Sequence, residues 1–333
     1  MDKDLKSIIY GLAIGDALGV PFEFISRNLM NLNPCKDMNE FGTHNQPIGS
    51  WSDDTSLTLC LLDAISYKNH TIDKKLVAQN MINWLNQAKF TANNIRFDVG
   101  FSTRRSIMKM KTHKNLSKCG DTSFNQNGNG ALMRISPLVL FLKDEQDIFN
   151  RFLLTKEYVS MTHGNEINII GCHIYIEFML QILKHKNMNR FEILNNTISI
   201  LNEFYSNLNN YFDYEDALSY EYLYNEHYKR IINKTIFQTR WKGLKQDYDV
   251  DIIKSSGFIV YSLEASIFCF MTTNNYKESV LLAVNLGEDT DTIAAITGSM
   301  SGLYYGIDNI PNDWIDKLLN KSLINETIKK SLS

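Results

Sequence analysis

Small residues recur at every fourth position in two stretches far apart in the chain: Gly11, Gly15 and Gly19 near the start, and Ala294, Gly298, Gly302 and Gly306 near the end. That spacing puts each set on one face of an α-helix. Glycine inside a helix costs about 1 kcal/mol relative to alanine. A chain that repeats it must recover the loss through unusually close approach of another helix, because interaxial distance follows the side chains at the contact. Both stripes also lie beside acidic motifs, which tight packing alone does not explain.

The rest of the chain supports a helical reading. Only five prolines occur in 333 residues, and apolar residues recur with helical rather than alternating spacing. Leu76, Val77, Met81, Trp84 and Leu85 form one stripe, Leu153, Leu154, Tyr158 and Met161 another, and Ile167 to Leu183 reads as a long, mostly buried helix. The expected fold is all-α, a compact multi-helix single domain over residues 1–333. No linker, fixed-period repeat or like-charge block divides it. A compositional shift at Tyr205 to Tyr228, where seven tyrosines crowd among acids, reads as part of an insertion spanning residues 185–250.

Composition excludes several function classes. Aromatic residues at 11% exclude disorder. With 34 basic against 37 acidic side chains, no nucleic-acid groove is expected. Met1 to Ile14 carries two aspartates and only a brief apolar run, unlike a signal peptide. Phe258 to Met271 contains Glu264 and is too short to span a bilayer, so no membrane partner is expected. Five scattered cysteines without a CxxC read as reduced thiols in the cytoplasm, with no sulfur-held zinc.

Three segments concentrate carboxylates: Gly15 to Gly19 with Glu23 beyond, Ser52-Asp53-Asp54-Thr55, and Glu288-Asp289-Thr290-Asp291-Thr292. Each has an ordinary explanation. Ser52 before two aspartates is a good N-cap, and Asp291 or Thr292 could cap a helix starting at Ile293. Taken together they suggest more. Residues two apart in an extended segment point to one side, which would aim Asp289 and Asp291 at one point beside the Thr292 hydroxyl. If the segments converge, Glu23, Asp53, Asp54, Asp289 and Asp291 bring up to five negative charges into one cleft, and no basic run flanks them. Such a cluster needs protonation or counter-charge, and hard divalent cations suit sparse carboxylate and hydroxyl ligands.

Two further features are weaker alone. Asn127-Gly128-Asn129-Gly130 is a glycine-broken turn whose backbone N–H groups can cradle phosphate, or an ordinary loop before a helix. His163, in Thr162-His163-Gly164, reads on its own as a structural histidine in a turn, capping a helix or bonding a carbonyl.

The motifs as a set resemble those of the ADP-ribosylglycohydrolases, a family that includes hydrolases of ADP-ribosylarginine and ADP-ribosylserine. Gly15 to Gly19 with Glu23, Trp51 to Thr55, Gly128 to Arg134, Thr162-His163 and Asn285 to Thr292 with Gly306 stand in the family's order. The resemblance covers residues 5–65, 97–139, 158–177 and 256–315. It implies two magnesium ions (Mg2+), or manganese (Mn2+), at the base of a cleft. Ser52, Asp53, Asp54 and Asp291 would serve one ion. Glu23, Asp289, Asp291 and Thr292 would serve or neighbour the other, with Asp291 bridging. Asn127 to Gly130 would hold a diphosphate, His163 would line the ADP-ribose site, and Glu23 or Asp54 would act as the base.

The implied reaction removes ADP-ribose from a modified protein side chain, arginine above others. Serine-linked, nucleic-acid-linked or free ADP-ribose derivatives are alternatives, as are a dinuclear phosphohydrolase cutting the diphosphate and a non-catalytic ADP-ribose binder. The chain departs from the family pattern at Ser52, where threonine is common, at Glu288, where many members have glycine, and at Phe101, a position often polar.

Overall fold

The computed structural model describes residues 1–229 and 252–333. Fifteen α-helices and one pair of two-residue strands lie among them, an all-α architecture. The chain opens with α1 (Asp2–Gly19), α2 (Arg27–Leu32) and α3 (Asp53–Leu62). Strands β1 (Ile65–Ser66) and β2 (Thr71–Ile72) pair antiparallel, with Ile65 opposite Ile72. Then come α4 (Lys74–Gln87), α5 (Phe101–Met110), α6 (Leu138–Phe141), α7 (Ile148–Val159), α8 (Glu166–Lys184), α9 (Arg190–Ser206) and α10 (Tyr214–Leu223). The last five are α11 (Ile259–Thr272), α12 (Tyr276–Asn285), α13 (Thr290–Tyr305), α14 (Asn312–Lys317) and α15 (Lys321–Leu332).

The two glycine stripes are the two sides of one seam. A Cβ on Gly11 would lie 2.3 Å from the Gly298 carbonyl oxygen, one on Gly15 2.0 Å from that of Ala294, and one on Gly19 2.3 Å from the Asp291 Cα. On the other side, a Cβ on Gly302 would lie 2.2 Å from the Ser7 carbonyl oxygen. The ascending numbers of α1 meet descending numbers of α13, so the helices run antiparallel with backbones in contact and no room for a methyl group. This close approach delivers the C-terminus of α1 to the N-terminus of α13, where the Thr290 hydroxyl donates to the Gly19 carbonyl at 2.7 Å. Gly306 is not part of the seam. Its φ of +86° follows the last helical residue, and it ends α13 in a conformation that side chains disfavour.

The α4 stripe is buried as its periodicity predicts, through Val77, Met81, Trp84 and Leu85. All of α8 from Ile167 to Ile182 is buried. In α7, however, Leu153 is 41% exposed. The inward face there is carried by Arg151, Phe152, Thr155 and Tyr158, so a buried arginine occupies a place that hydrophobic counting gave to leucine. Asp2–Phe22 and Glu166–Lys184 have the length and hydropathy of membrane spans, yet 89% of each such stretch is buried inside the protein.

The tyrosine-rich segment is in large part core. Tyr205, Tyr220, Tyr224 and Tyr228 are buried. Tyr205 and Tyr224 stack with centroids 4.2 Å apart, and the Tyr228 hydroxyl donates to the Ile167 carbonyl on α8. Residues 230–250 of the expected insertion lie outside the described residues.

Candidate functional site

The N-terminus of α3 is capped twice. Ser52 Oγ accepts from the Asp54 amide at 3.3 Å, as its position predicts. The stronger cap comes from α1. The Asp16 carboxylate accepts from the Ser52 amide at 2.8 Å, the Thr55 amide at 3.0 Å and the Thr55 hydroxyl at 2.6 Å. Asp16 thus spends both oxygens on the helix terminus, a placement that the helix dipole favours.

The third acidic segment, Glu288 to Thr292, is built differently from its sequence reading. Helix α13 begins at Thr290 rather than Ile293, so Asp291 lies in its first turn and Asp289 precedes it with no side-chain cap bond. The two carboxylates converge because a helix starts between them, not because they alternate along an extended strand. Asp291 accepts from the Thr292 amide at 2.9 Å, and Thr292 Oγ1 donates to Asp54 at 3.3 Å. Asp289 accepts from the Asn129 amide side chain at 2.7 Å. Glu288 has φ +63°, a left-handed position that glycine adopts more readily than a side-chain-bearing residue, and exchanges backbone bonds with Phe24 and Ile25.

A cleft of about 310 Å³ opens above these groups. Glu23, Asp53, Asp98, Asp289 and Thr292 form one wall, and the turn from Asn127 to Gly130 with His163 forms the other. The turn is pinned by two backbone bonds, Asn129 to the Gly257 carbonyl and Ile259 to the Asn127 carbonyl, each 3.0 Å. Ser52, Asp54 and Asp291 are buried beneath the floor. Phe24 and Phe101, both largely exposed, stand at the mouth.

Carboxylate oxygens form two compact groups, Asp16 with Asp54 and Asp291, and Glu23 with Asp98 and Asp291, each with oxygens within 4.8 Å of one another. Asp291 belongs to both. Two of these residues, Asp16 and Asp98, and the neighbouring His44 received no role from sequence reasoning or were absent from it. Asp16 was visible as part of a motif, but nothing in the chain showed which helix it caps. Asp98 precedes α5 at φ +45°, a backbone strain that a sequence does not display. His44 hydrogen-bonds the Glu23 carboxylate and sits between the Phe24 and Phe97 rings, with no sequence signal at all.

Burial dominates the electrostatics. It pushes Asp53, Asp54 and Asp291 well above the ordinary carboxylate range, and neighbouring carboxylates push in the same direction. Glu23 rises to about 7 and Asp16 to about 6, again through burial, opposed by their hydrogen bonds to His44 and to Thr55 and Ser52. Among the described residues no lysine or arginine lines the cleft to offset this charge. Asp54 Oδ1 and Asp291 Oδ2 are buried without a hydrogen-bond partner. Buried polar atoms are rarely left so. Carboxylate and hydroxyl oxygens around two orphaned lone pairs fit a hard divalent cation.

A family model described as ADP-ribosylglycohydrolase matches residues 3–333. The ADP-ribosylarginine hydrolase Tri1 of Serratia proteamaculans is 28% identical over 324 residues, covering 97% of this chain and 77% of that protein. The ADP-ribosyl-dinitrogen reductase glycohydrolase of Rhodospirillum rubrum is 24% identical over 328 residues, covering 95% and 90%. A solved structure titled as an ADP-ribosylglycohydrolase-related protein complex has the same fold, with a TM-score of 0.71 at 24% identity over 99% of this chain and 97% of that one.

Proposed function

The chain belongs to the ADP-ribosylglycohydrolase family, and we propose that it hydrolyses the N-glycosidic bond between ADP-ribose and an arginine side chain of a modified protein, with two divalent ions, magnesium or manganese. The observation that carries this reading is the pair of carboxylate groups sharing Asp291, with two orphaned buried oxygens and, among the described residues, no lysine or arginine on the cleft wall. The arginine linkage is supported by relatives named as ADP-ribosylarginine hydrolases at 28% and 26% identity.

Ser52, Asp53, Asp54 and Asp291 are assigned to one ion, and Glu23, Asp289, Asp291 and Thr292 to the other, with Asp98 beside it. Asp16 is left out because three hydrogen bonds already occupy its oxygens. When bound, the ions offset the carboxylate charge, orient sugar hydroxyls and lower the pKa of water. The turn from Asn127 to Gly130 receives the diphosphate, with His163 behind it. Glu23 is the better of the two candidate bases, since it lines the cleft whereas Asp54 is fully buried. Glu23 takes a proton from water as the oxygen bonds to C1 of the distal ribose. The C1–N bond breaks, and its electron pair leaves with the guanidine nitrogen, which is reprotonated.

We also read residues 1–333 as a single domain, and the five buried free cysteines as fitting a reducing cytoplasm. The test is a panel of arginine-linked and serine-linked ADP-ribosyl peptides, incubated with magnesium, manganese or chelator. ADP-ribose released from the arginine peptide only with metal is the expected result. Release from serine alone would move the linkage, AMP would mean diphosphate cleavage, and binding without turnover would leave a binding protein.

A further inference from the structure

Arg134 closes the motif that begins at Gly128, yet it lies far from any solvent. It is 0% exposed, and its Nε and Nη1 atoms have no partner among the described residues. A buried guanidinium with two unsatisfied nitrogens is an expensive placement. Its one satisfied arm is Nη2, which donates to the Tyr158 carbonyl at 3.0 Å and to Thr162 Oγ1 at 2.7 Å.

The same Thr162 hydroxyl lies 3.0 Å from His163 Nδ1. Guanidinium has no acceptor, so Thr162 Oγ1 accepts from Arg134. The hydroxyl keeps one proton to give, and among the described residues its only other hydrogen-bond partner is His163 Nδ1. Were Nδ1 to carry a hydrogen of its own, the Thr162 proton would be buried without an acceptor. The chain of donation therefore runs from Arg134 through Thr162 to a bare Nδ1, which leaves the hydrogen on Nε2.

Nε2 is on the cleft side of the ring. His163 lines the cleft, and a Cβ on Gly130 would come within 2.9 Å of its Cε1, while one on Gly128 would be 3.9 Å from Nε2. The imidazole thus looks out past a turn kept low by its two glycines. Its backbone is fixed on both sides, the His163 amide donating to the Val159 carbonyl at 2.9 Å and the Gly164 amide to the Asp121 carbonyl at 2.9 Å. Ser106 on α5 holds the Thr162 carbonyl at 2.9 Å.

We propose that Arg134 is a positioning residue that acts through Thr162 to lock His163 as the Nε2–H tautomer, so that the cleft presents one fixed donor to the diphosphate of a nucleoside-diphosphate sugar. The ligand named here rests on the reading of the cleft as an ADP-ribose site; the tautomer does not. Burial and the Arg134 charge both oppose a second proton on His163, in keeping with a neutral donor. The price of burying Arg134 is then explained by what it orders.

The test uses the full chain labelled with 15N at histidine. A His163→Asn variant identifies the His163 signals among the seven histidines. In the parent protein Nδ1 is expected bare and Nε2 protonated. Thr162→Val, close in shape but without the hydroxyl, should lose that single tautomer and weaken ADP-ribose binding by calorimetry about tenfold, while Thr162→Ser restores both. Arg134→Met should shift the tautomer in the same direction, and if it fails to fold the Thr162 pair decides alone. A parent protein protonated at Nδ1, or a Thr162→Val variant with unchanged tautomer and affinity, overturns the relay. Absence of ADP-ribose binding by the parent protein would instead defeat the functional reading and leave the tautomer measurement standing.

Discussion

Two buried ionic sites in this molecule are constructed on opposite principles. Between α7 and α8, Arg151 meets Glu177 side on, Nε to Oε1 at 2.6 Å and Nη2 to Oε2 at 2.8 Å. Arg151 Nη1 donates to the carbonyls of Glu145 and Gln146 at 2.9 and 3.0 Å. Burial alone would raise the Glu177 carboxyl, but His173 and Arg151 outweigh it and hold it below the ordinary value. At the cleft, seven carboxyl side chains (Asp16, Glu23, Asp53, Asp54, Asp98, Asp289 and Asp291) approach one another, the pKa values of Asp53, Asp54 and Asp291 go well up, and two oxygens stay orphaned. A closed site carries its own counter-charge and serves the fold. An open one lacks, among the described residues, the counter-charge that would complete it, and that asymmetry sets the cleft apart as the candidate functional site.

The sharpest way to break this contrast is to remove one charge from each site. Asp291→Ala should lower magnesium-dependent ADP-ribose release by on the order of a thousandfold, with the helical circular dichroism spectrum unchanged. Full activity of that variant in chelator would end the case for an open site. Arg151→Met should do the reverse, leaving the buried Glu177 with only His173 beside it at a loss of about 3–5 kcal/mol in urea unfolding, with kcat/KM of the remaining folded protein unaltered.

A gentler comparison uses pH. Asp16 and Glu23 lie at about 6 and about 7 in the folded chain, above the values near 4 of an unfolded one. Between those limits the folded state holds protons that the unfolded state has released, so metal-free stability must fall as pH rises. Melting in chelator should therefore drop from pH 5 to pH 8. Magnesium at a hundredfold excess over its dissociation constant should add about 3 kcal/mol, and more of that at pH 8 than at pH 5. Glu177 has the opposite sign. Its depressed carboxyl contributes stability above its ordinary value and loses it as pH falls through the folded one, so Glu177→Gln should flatten the acid limb of the melting profile and leave the neutral slope unchanged.

Much of this was legible in the chain, and the failures have physical causes. The α4 and α8 stripes could be read because helical periodicity is local. The α7 stripe was misassigned at Leu153 because Arg151, paired to a glutamate 26 residues away, takes the inward position. Capping by Ser52 could be read from its neighbours, but capping by Asp16 joins residues 36 apart through a fold that brings α1 across α3. Asp98 and His44 enter the site through a left-handed backbone position and a short turn, neither of which leaves a periodic trace.

What the sequence determined by itself is the class of architecture and the motifs from which most of the candidate site is drawn: helices, glycine stripes that demand close backbone approach, and acids in excess of bases beside them. These follow from spacing and residue type, which are one-dimensional. The partner of each stripe, the double membership of Asp291 and the meeting of Arg134 and His163 at the Thr162 hydroxyl were decided only in three dimensions. Hydrogen bonds and Coulomb interactions act over a few ångströms of space regardless of the chain length between, so which charges are offset and which stay open depends on packing.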